Sequence, residues 1–145
     1  MPDRISPGQR SRIMARIGNV DTQPEMKVRR LVHKMGYRYR LHRRDLPGTP
    51  DLVFPARRKI IFVHGCFWHQ HDCPRGSRPA SNQEFWNRKL NKNVLRDRRV
   101  TTELEEIGWA VLVIWECETN NLQNLAQRLD SFLCSKRGGS SAFLE

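Results

Sequence analysis

No stretch of this 145-residue chain stays apolar for the roughly 20 positions that a helix needs to span a bilayer, so no membrane anchor is expected. The opening residues, MPDRISPGQRSR, have no apolar core, and no secretory signal is expected there. Internal repeats and low-complexity blocks are missing, which excludes solenoids and argues for one globular domain over residues 1–135. Acids are scarce: 15 Asp+Glu stand against 26 Lys+Arg, a net charge of +11. That balance disfavours cationic partners and favours a polyanion, nucleic acid before a membrane surface. A basic ribosomal or RNA-binding protein is the plainest reading of charge alone.

Cysteines number four, Cys66, Cys73, Cys117 and Cys134. Two disulfides would fit an exported protein, but nothing points to export. Beside histidines in a reducing compartment, such cysteines more often hold metal. The richest stretch is HGCFWHQHDC, His64–Cys73, with three histidines and two cysteines. Cys66, His71 and Cys73 offer three soft ligands at close spacing, and a tetrahedral zinc needs a fourth from a distance. Spacing alone leaves Cys117 and Cys134 both open, and it leaves open that all three histidines share the metal.

Local patterns give the order α-α-β-β-β-α-β-α, an α/β sandwich. Residues 7–19 read as a short basic helix with Ile13, Met14 and Ile17 on one side. Thr22 and Glu25 form a capping box with Pro24 in the first turn, and Gly36 stops that second helix. YRYRLH alternates as a strand, and DLVF and KIIFV read as two more joined by PARR. A second capping box, Ser81 with Glu84, opens a long helix that ends at Gly108. WAVLVIW is apolar throughout and predicts a central strand covered on both faces. An amphipathic helix follows, then a loose tail over 136–145.

Asp51 opens a strand whose partner runs into His64. A carboxylate and a coordinating position on hairpin partners is how phosphodiesterases hold Mg²⁺, although an acid at a strand start is more often a turn residue. The acid and lysine that many nucleases carry on the second strand are apolar here, so a backbone carbonyl or water must complete such a site.

PGTPDLVF, FVHGCFWHQHDC, EFWNRKLNKNVLRDRR and GWAVLVIWEC, taken together, resemble the very-short-patch-repair DNA mismatch endonucleases, over roughly residues 8–134. The resemblance implies a restriction-endonuclease-like mixed β-sheet flanked by helices. It implies strand-specific nicking at T:G mismatches left by 5-methylcytosine deamination, with one structural Zn²⁺ and one or two catalytic Mg²⁺. It makes Cys66, His71, Cys73 and Cys117 the zinc ligands. Asp51 would hold Mg²⁺ together with the carbonyl of Val63, a position where some members carry Thr. His69 would be the general base, His64 would orient or stabilise the phosphate, and Glu25 would lie near the site while also serving as a cap. Phe67 and Trp68 would wedge into DNA from one groove and Met14 from the opposite side, with Trp86 in contact; a Trp early in a helix is otherwise core. Lys89, Lys92, Arg96, Arg98 and Arg99 read as phosphate neutralisation or plain solubility rather than base readout. The partners implied are double-stranded DNA with a T:G mismatch, then mismatch-repair and DNA polymerase machinery, with the protein a monomer of the bacterial cytoplasm that acts at the nucleoid.

Overall fold

A computed structural model describes residues 22–135. The basic helix expected over 7–19, with Met14, and the tail over 136–145 lie outside the described residues. Helix α1 (Gln23–Lys34) starts at Thr22, whose hydroxyl accepts the Glu25 N–H at 3.4 Å, with Pro24 in the first turn. Only half of the expected capping box forms, because the Glu25 side chain turns inward to other partners. Gly36, at φ +96°, takes the left-handed conformation that ends the helix.

Strand β1 (Arg40–Leu41) is far shorter than the alternation of residues 37–42 suggests. Tyr37 and Tyr39 pack on the core instead of extending the ladder. β2 (Leu52–Phe54) and β3 (Lys59–His64) form an antiparallel hairpin, and β4 (Ala110–Trp115) runs parallel to β3. The sheet order is β1-β2-β3-β4. β4 is therefore an edge strand, which corrects the central placement. Its apolar run reflects helices over both faces, and those fix burial without fixing a pairing partner on each side.

Period-two alternation sorts these strands between two cores. Leu52, Phe54, Ile61 and Ile114 face Val28 and Val32 of α1 and Leu125, Leu129 and Leu133 of α3 (Leu122–Cys134). Val53, Ile60 and Phe62 face Val100 and Leu104 of α2 (Gln83–Glu106) and Trp109. Three layers result, α1 and α3 below the sheet and α2 above it. The mixed α/β class is as expected. The capping box at Ser81 is not formed: Asn82 caps α2 at φ +51° without a side-chain bond, and Glu84 pairs with Arg88 at 3.0 Å. Lys59, 1% exposed, pins the end of α3. Its Nζ donates to the Ser135 carbonyl at 2.9 Å and to the Phe132 carbonyl, where the helix dipole favours a cation. No described helix is long and apolar enough to cross a membrane.

Candidate active site and metal centre

The parallel pair β3/β4 delivers its carboxyl ends, His64 and Trp115, side by side in register. Open α/β sheets bind ligands at that end, and here it opens into a cleft of about 640 Å³ lined by Glu25, His42, Asp51, His64, His69 and Asp97. Asp51 precedes β2, and its Oδ2 accepts the Val63 N–H at 2.8 Å across the hairpin. Burial pushes its carboxyl up to about 7; the Val63 N–H opposes that shift and the neighbouring Glu25 adds to it.

Glu25, 2% exposed, reaches the same spot from the first turn of α1. Its Oε2 accepts from Arg29 one turn on, and it lies 2.9 Å from His42 Nε2. Glu25, His42 and Asp51 bring ligand atoms within 4.8 Å of one another. His42 itself sits at φ +46°, a costly backbone for a non-glycine residue. Its N–H donates to the Asp51 carbonyl at 3.3 Å, so the strained residue is fixed to the chain at the acid it faces.

Opposite stands a histidine pair. The rings of His64 and His69 stack with centroids 3.8 Å apart and planes 6° apart. Burial, with His69 as a further cause, drives His64 down to about 3, so at neutral pH it is an uncharged imidazole. His69 Nδ1 lies 2.5 Å from Asp97 Oδ2. When Nδ1–H donates to that carboxylate, Nε2 presents its lone pair to the cleft. This is the nucleophile-activating arrangement in which an acid fixes the tautomer of a base.

A separate cluster lies behind the pair. Cys66, His71, Cys73 and Cys117 converge within 4.8 Å. His71 Nδ1 is 3.7 Å from Cys66 Sγ and 3.5 Å from Cys117 Sγ. A tetrahedral zinc with ordinary bond lengths has S···N edges of about 3.6 Å, so the donor set fits that ion. Burial lifts the Cys66 thiol to about 12, which leaves a proton where a cation would favour a thiolate. Cys117 follows β4 on a short 3₁₀ turn, Glu116–Asn120. Cys134 is exposed on α3, outside the cluster, and its thiol faces the Ser131 carbonyl at 4.0 Å. Gly76 closes the loop where a Cβ would sit 2.2 Å from the His71 carbonyl, so only glycine fits. Trp115 bridges the two centres: its ring stacks on His71 at 4.3 Å and meets His64 edge-on at 5.3 Å.

Phe67, Trp68 and Trp86 form a half-buried cluster with centroids 5.0–6.0 Å apart, outside both cores. Phe85, 58% exposed, extends it at 5.2 Å from Trp86. Trp86 is thus neither a core residue nor a lone surface ring. The structure brings together Glu25, Asp51, His64 and His69 in one cleft, and the four soft ligands in another place. Val63 contributes its N–H to Asp51. Asp97, His42 and Arg29 escaped the sequence reading because each sits in a run of charged residues that looks like a solvated face. An i, i+4 Glu25–Arg29 spacing was the one available signal.

A profile described as DNA mismatch endonuclease Vsr matches residues 2–75. The type II nicking enzyme V.XorIIP of Xanthomonas oryzae is 49% identical over 133 residues, 92% of this chain and 98% of that protein. The type II nicking enzyme V.NmeAIP of Neisseria meningitidis is 41% identical over 130 residues, 90% and 93% of the two chains. The DNA mismatch endonuclease Vsr of Escherichia coli is 39% identical over 150 residues, 100% of this chain and 95% of its own. With a buried acid facing a paired histidine base at the strand ends, and this similarity running along nearly the whole sequence, the chain belongs to the Vsr family of DNA mismatch endonucleases.

Proposed function

We propose that this endonuclease nicks one strand of duplex DNA at T:G mismatches by Mg²⁺-dependent phosphodiester hydrolysis, on a restriction-endonuclease-like sheet held at one end by a structural zinc. The observation that carries this reading is the cleft in which Asp51 faces the His69–Asp97 pair. Two buried carboxylates, Asp51 and Glu25, supply hard oxygen donors of the kind Mg²⁺ takes, and the burial and the Glu25 proximity that raise the Asp51 carboxyl are what a cation would relieve. A divalent ion bound there supplies charge to the phosphate oxygens and makes water more acidic.

The chain's own residues do the rest. His69 Nε2 takes a proton from the attacking water, whose oxygen bonds to phosphorus as the bond to the leaving oxygen breaks. Asp97 holds the His69 ring in the accepting tautomer. His64, neutral and stacked on His69, keeps the ring plane fixed and can donate a hydrogen bond to a phosphate oxygen. Arg29 and His42 hold Glu25 in place beside Asp51. Phe67, Trp68 and Trp86 border the site as an aromatic platform that would enter a weakened base step, with Met14 from the far groove. A T:G wobble pair stacks less well, so opening the adjacent step costs less there. Lys89, Lys92, Arg96, Arg98 and Arg99 on α2 supply phosphate contacts.

The test is a nicking assay with Mg²⁺ on a T:G duplex, beside a matched duplex and structured RNA. Nicking confined to one strand of the T:G duplex is the expected result. Binding without nicking would make the chain a zinc-stabilised DNA-binding module, and preference for RNA would overturn the reading.

A further inference from the structure

Arg78 lies between the loop that carries Phe67 and Trp68 and the helix that carries Trp86. Each of the three nitrogens of its solvent-exposed guanidinium donates to a neutral amide oxygen. Nε donates to Gln70 Oε1 at 2.7 Å, one terminal nitrogen to Asn87 Oδ1 at 2.8 Å and the other to Asn91 Oδ1 at 2.7 Å. Gln70 passes the connection on: its Nε2 donates to the Phe67 carbonyl at 2.7 Å and to the Gly76 carbonyl at 3.1 Å. Gln70 does so from φ +55°, a left-handed backbone that the surrounding bonds must hold in place. Asn87 and Asn91 are i and i+4, one above the other on a single face of α2. The chain of bonds therefore runs from the backbone of Phe67 through Gln70 and Arg78 to the turn of α2 that begins at Trp86. Two residues past Asn91, Asn93 Nδ2 donates to the Trp68 carbonyl at 3.1 Å.

We propose that Arg78 is a positioning residue for mismatch discrimination, a buckle that fixes the Phe67/Trp68 loop at a set distance from Trp86 on α2. This rests on the reading that those aromatics enter the mismatched step. Insertion selects a weakened step only if the rings arrive already ordered; a loose loop spends part of the gain on its own ordering. The role needs the planar five-donor fork of arginine. A lysine at the same place keeps the charge but is a point donor that cannot span three separated acceptors. All the acceptors are uncharged, so Arg78 also keeps its positive charge and could instead be an ordinary phosphate contact. The two roles separate cleanly.

The experiment compares Arg78→Lys, Arg78→Ala, Gln70→Ala and Trp68→Ala with the parent chain. It measures affinity for T:G and matched duplexes in Ca²⁺ over a range of salt, zinc content and melting temperature. The buckle predicts that Arg78→Lys loses about tenfold of the T:G preference, which is 1.4 kcal/mol. Zinc content should stay at the parent's value and binding to matched DNA should be nearly unchanged. Gln70→Ala should do the same, and the Gln70→Ala/Arg78→Lys pair should lose little more than either alone, since both cut one chain of bonds. If Arg78→Lys behaves as the parent while Arg78→Ala weakens both duplexes equally and lowers the salt slope by about one, Arg78 is a phosphate contact and the proposal fails. Trp68→Ala guards the premise. An unchanged preference in that variant overturns the aromatic-insertion reading itself, whereas a lost preference with Arg78→Lys intact overturns the buckle alone.

Discussion

Asp51 is held in an environment that opposes its own charge. Burial and the adjacent Glu25 carboxylate push its carboxyl up to about 7, and one Val63 N–H at 2.8 Å only partly compensates. On the proposed reading the cost has a use, since a buried acid at this place would draw a divalent cation into the cleft. The pH dependence of the metal-free protein follows. Below pH 3.8 the carboxyl is protonated in both folded and unfolded states and costs nothing. As pH rises through about 7 the unfolded chain is already ionised, the folded one must ionise a buried group, and stability is lost. Moving the group from 3.8 to about 7 corresponds to on the order of 4 kcal/mol. In the presence of a chelator, Asp51→Asn is therefore expected to melt above the parent at pH 8, with the gap closing as pH falls toward 4. A variant no more stable than the parent at pH 8 would mean that Asp51 is not under strain. His64 has the opposite sign: its depressed value makes it a source of stability above pH 6.5 that is lost as acid forces a charge onto it.

At the scale of elements, the ten residues from the last position of β3 onward, His64–Cys73, divide their work by side-chain direction. His64 and His69 face the cleft, Cys66, His71 and Cys73 face away toward the end of β4, and Phe67 and Trp68 stand at the rim. A zinc ion held by that loop and Cys117 would make the strand end part of the metal centre. Cys117→Ala is expected to lose zinc and to lower the melting temperature sharply, because ligation free energy is folding free energy. Cys134→Ala is expected to keep both at parent values, and metal analysis with thermal denaturation checks the pair. Zinc retained by Cys117→Ala, or lost by Cys134→Ala, would displace the assigned ligand set.

Much of this layout was legible in the sequence for physical reasons. Thr22 and Pro24 set the start of α1 and Gly36 its end, and the unbroken apolar run WAVLVIW marked a strand with apolar neighbours on both faces. The soft-ligand spacing marked three of the four side chains that converge in the Cys/His cluster. What stayed hidden were relations that spacing does not carry. β4 is apolar on both faces yet lies at an edge, since helices supply burial and strand pairing decides position. Asp97 reads as one more charge in RDRR until α2 lays it 2.5 Å from His69. His42 reads as the polar last residue of a strand until its φ of +46° takes it out of the ladder and beside Glu25.

For the molecule as a whole, a net charge of +11 makes binding to any duplex favourable and says nothing about chemistry. Affinity and catalysis must then come apart when the cleft is altered and the basic face is left alone. The most direct measurement is the single-turnover nicking rate of Asp51→Ala and His69→Ala on a T:G duplex with Mg²⁺, under conditions where binding is saturated. Neither side chain is expected to read bases, so both variants should bind the mismatch within about tenfold of the parent, 1.4 kcal/mol. His69→Ala should nick on the order of 10²–10⁴-fold more slowly, the usual range for loss of a general base, and Asp51→Ala should not nick measurably. Nicking by Asp51→Ala at the parental rate would place the metal chemistry elsewhere and contradict the account.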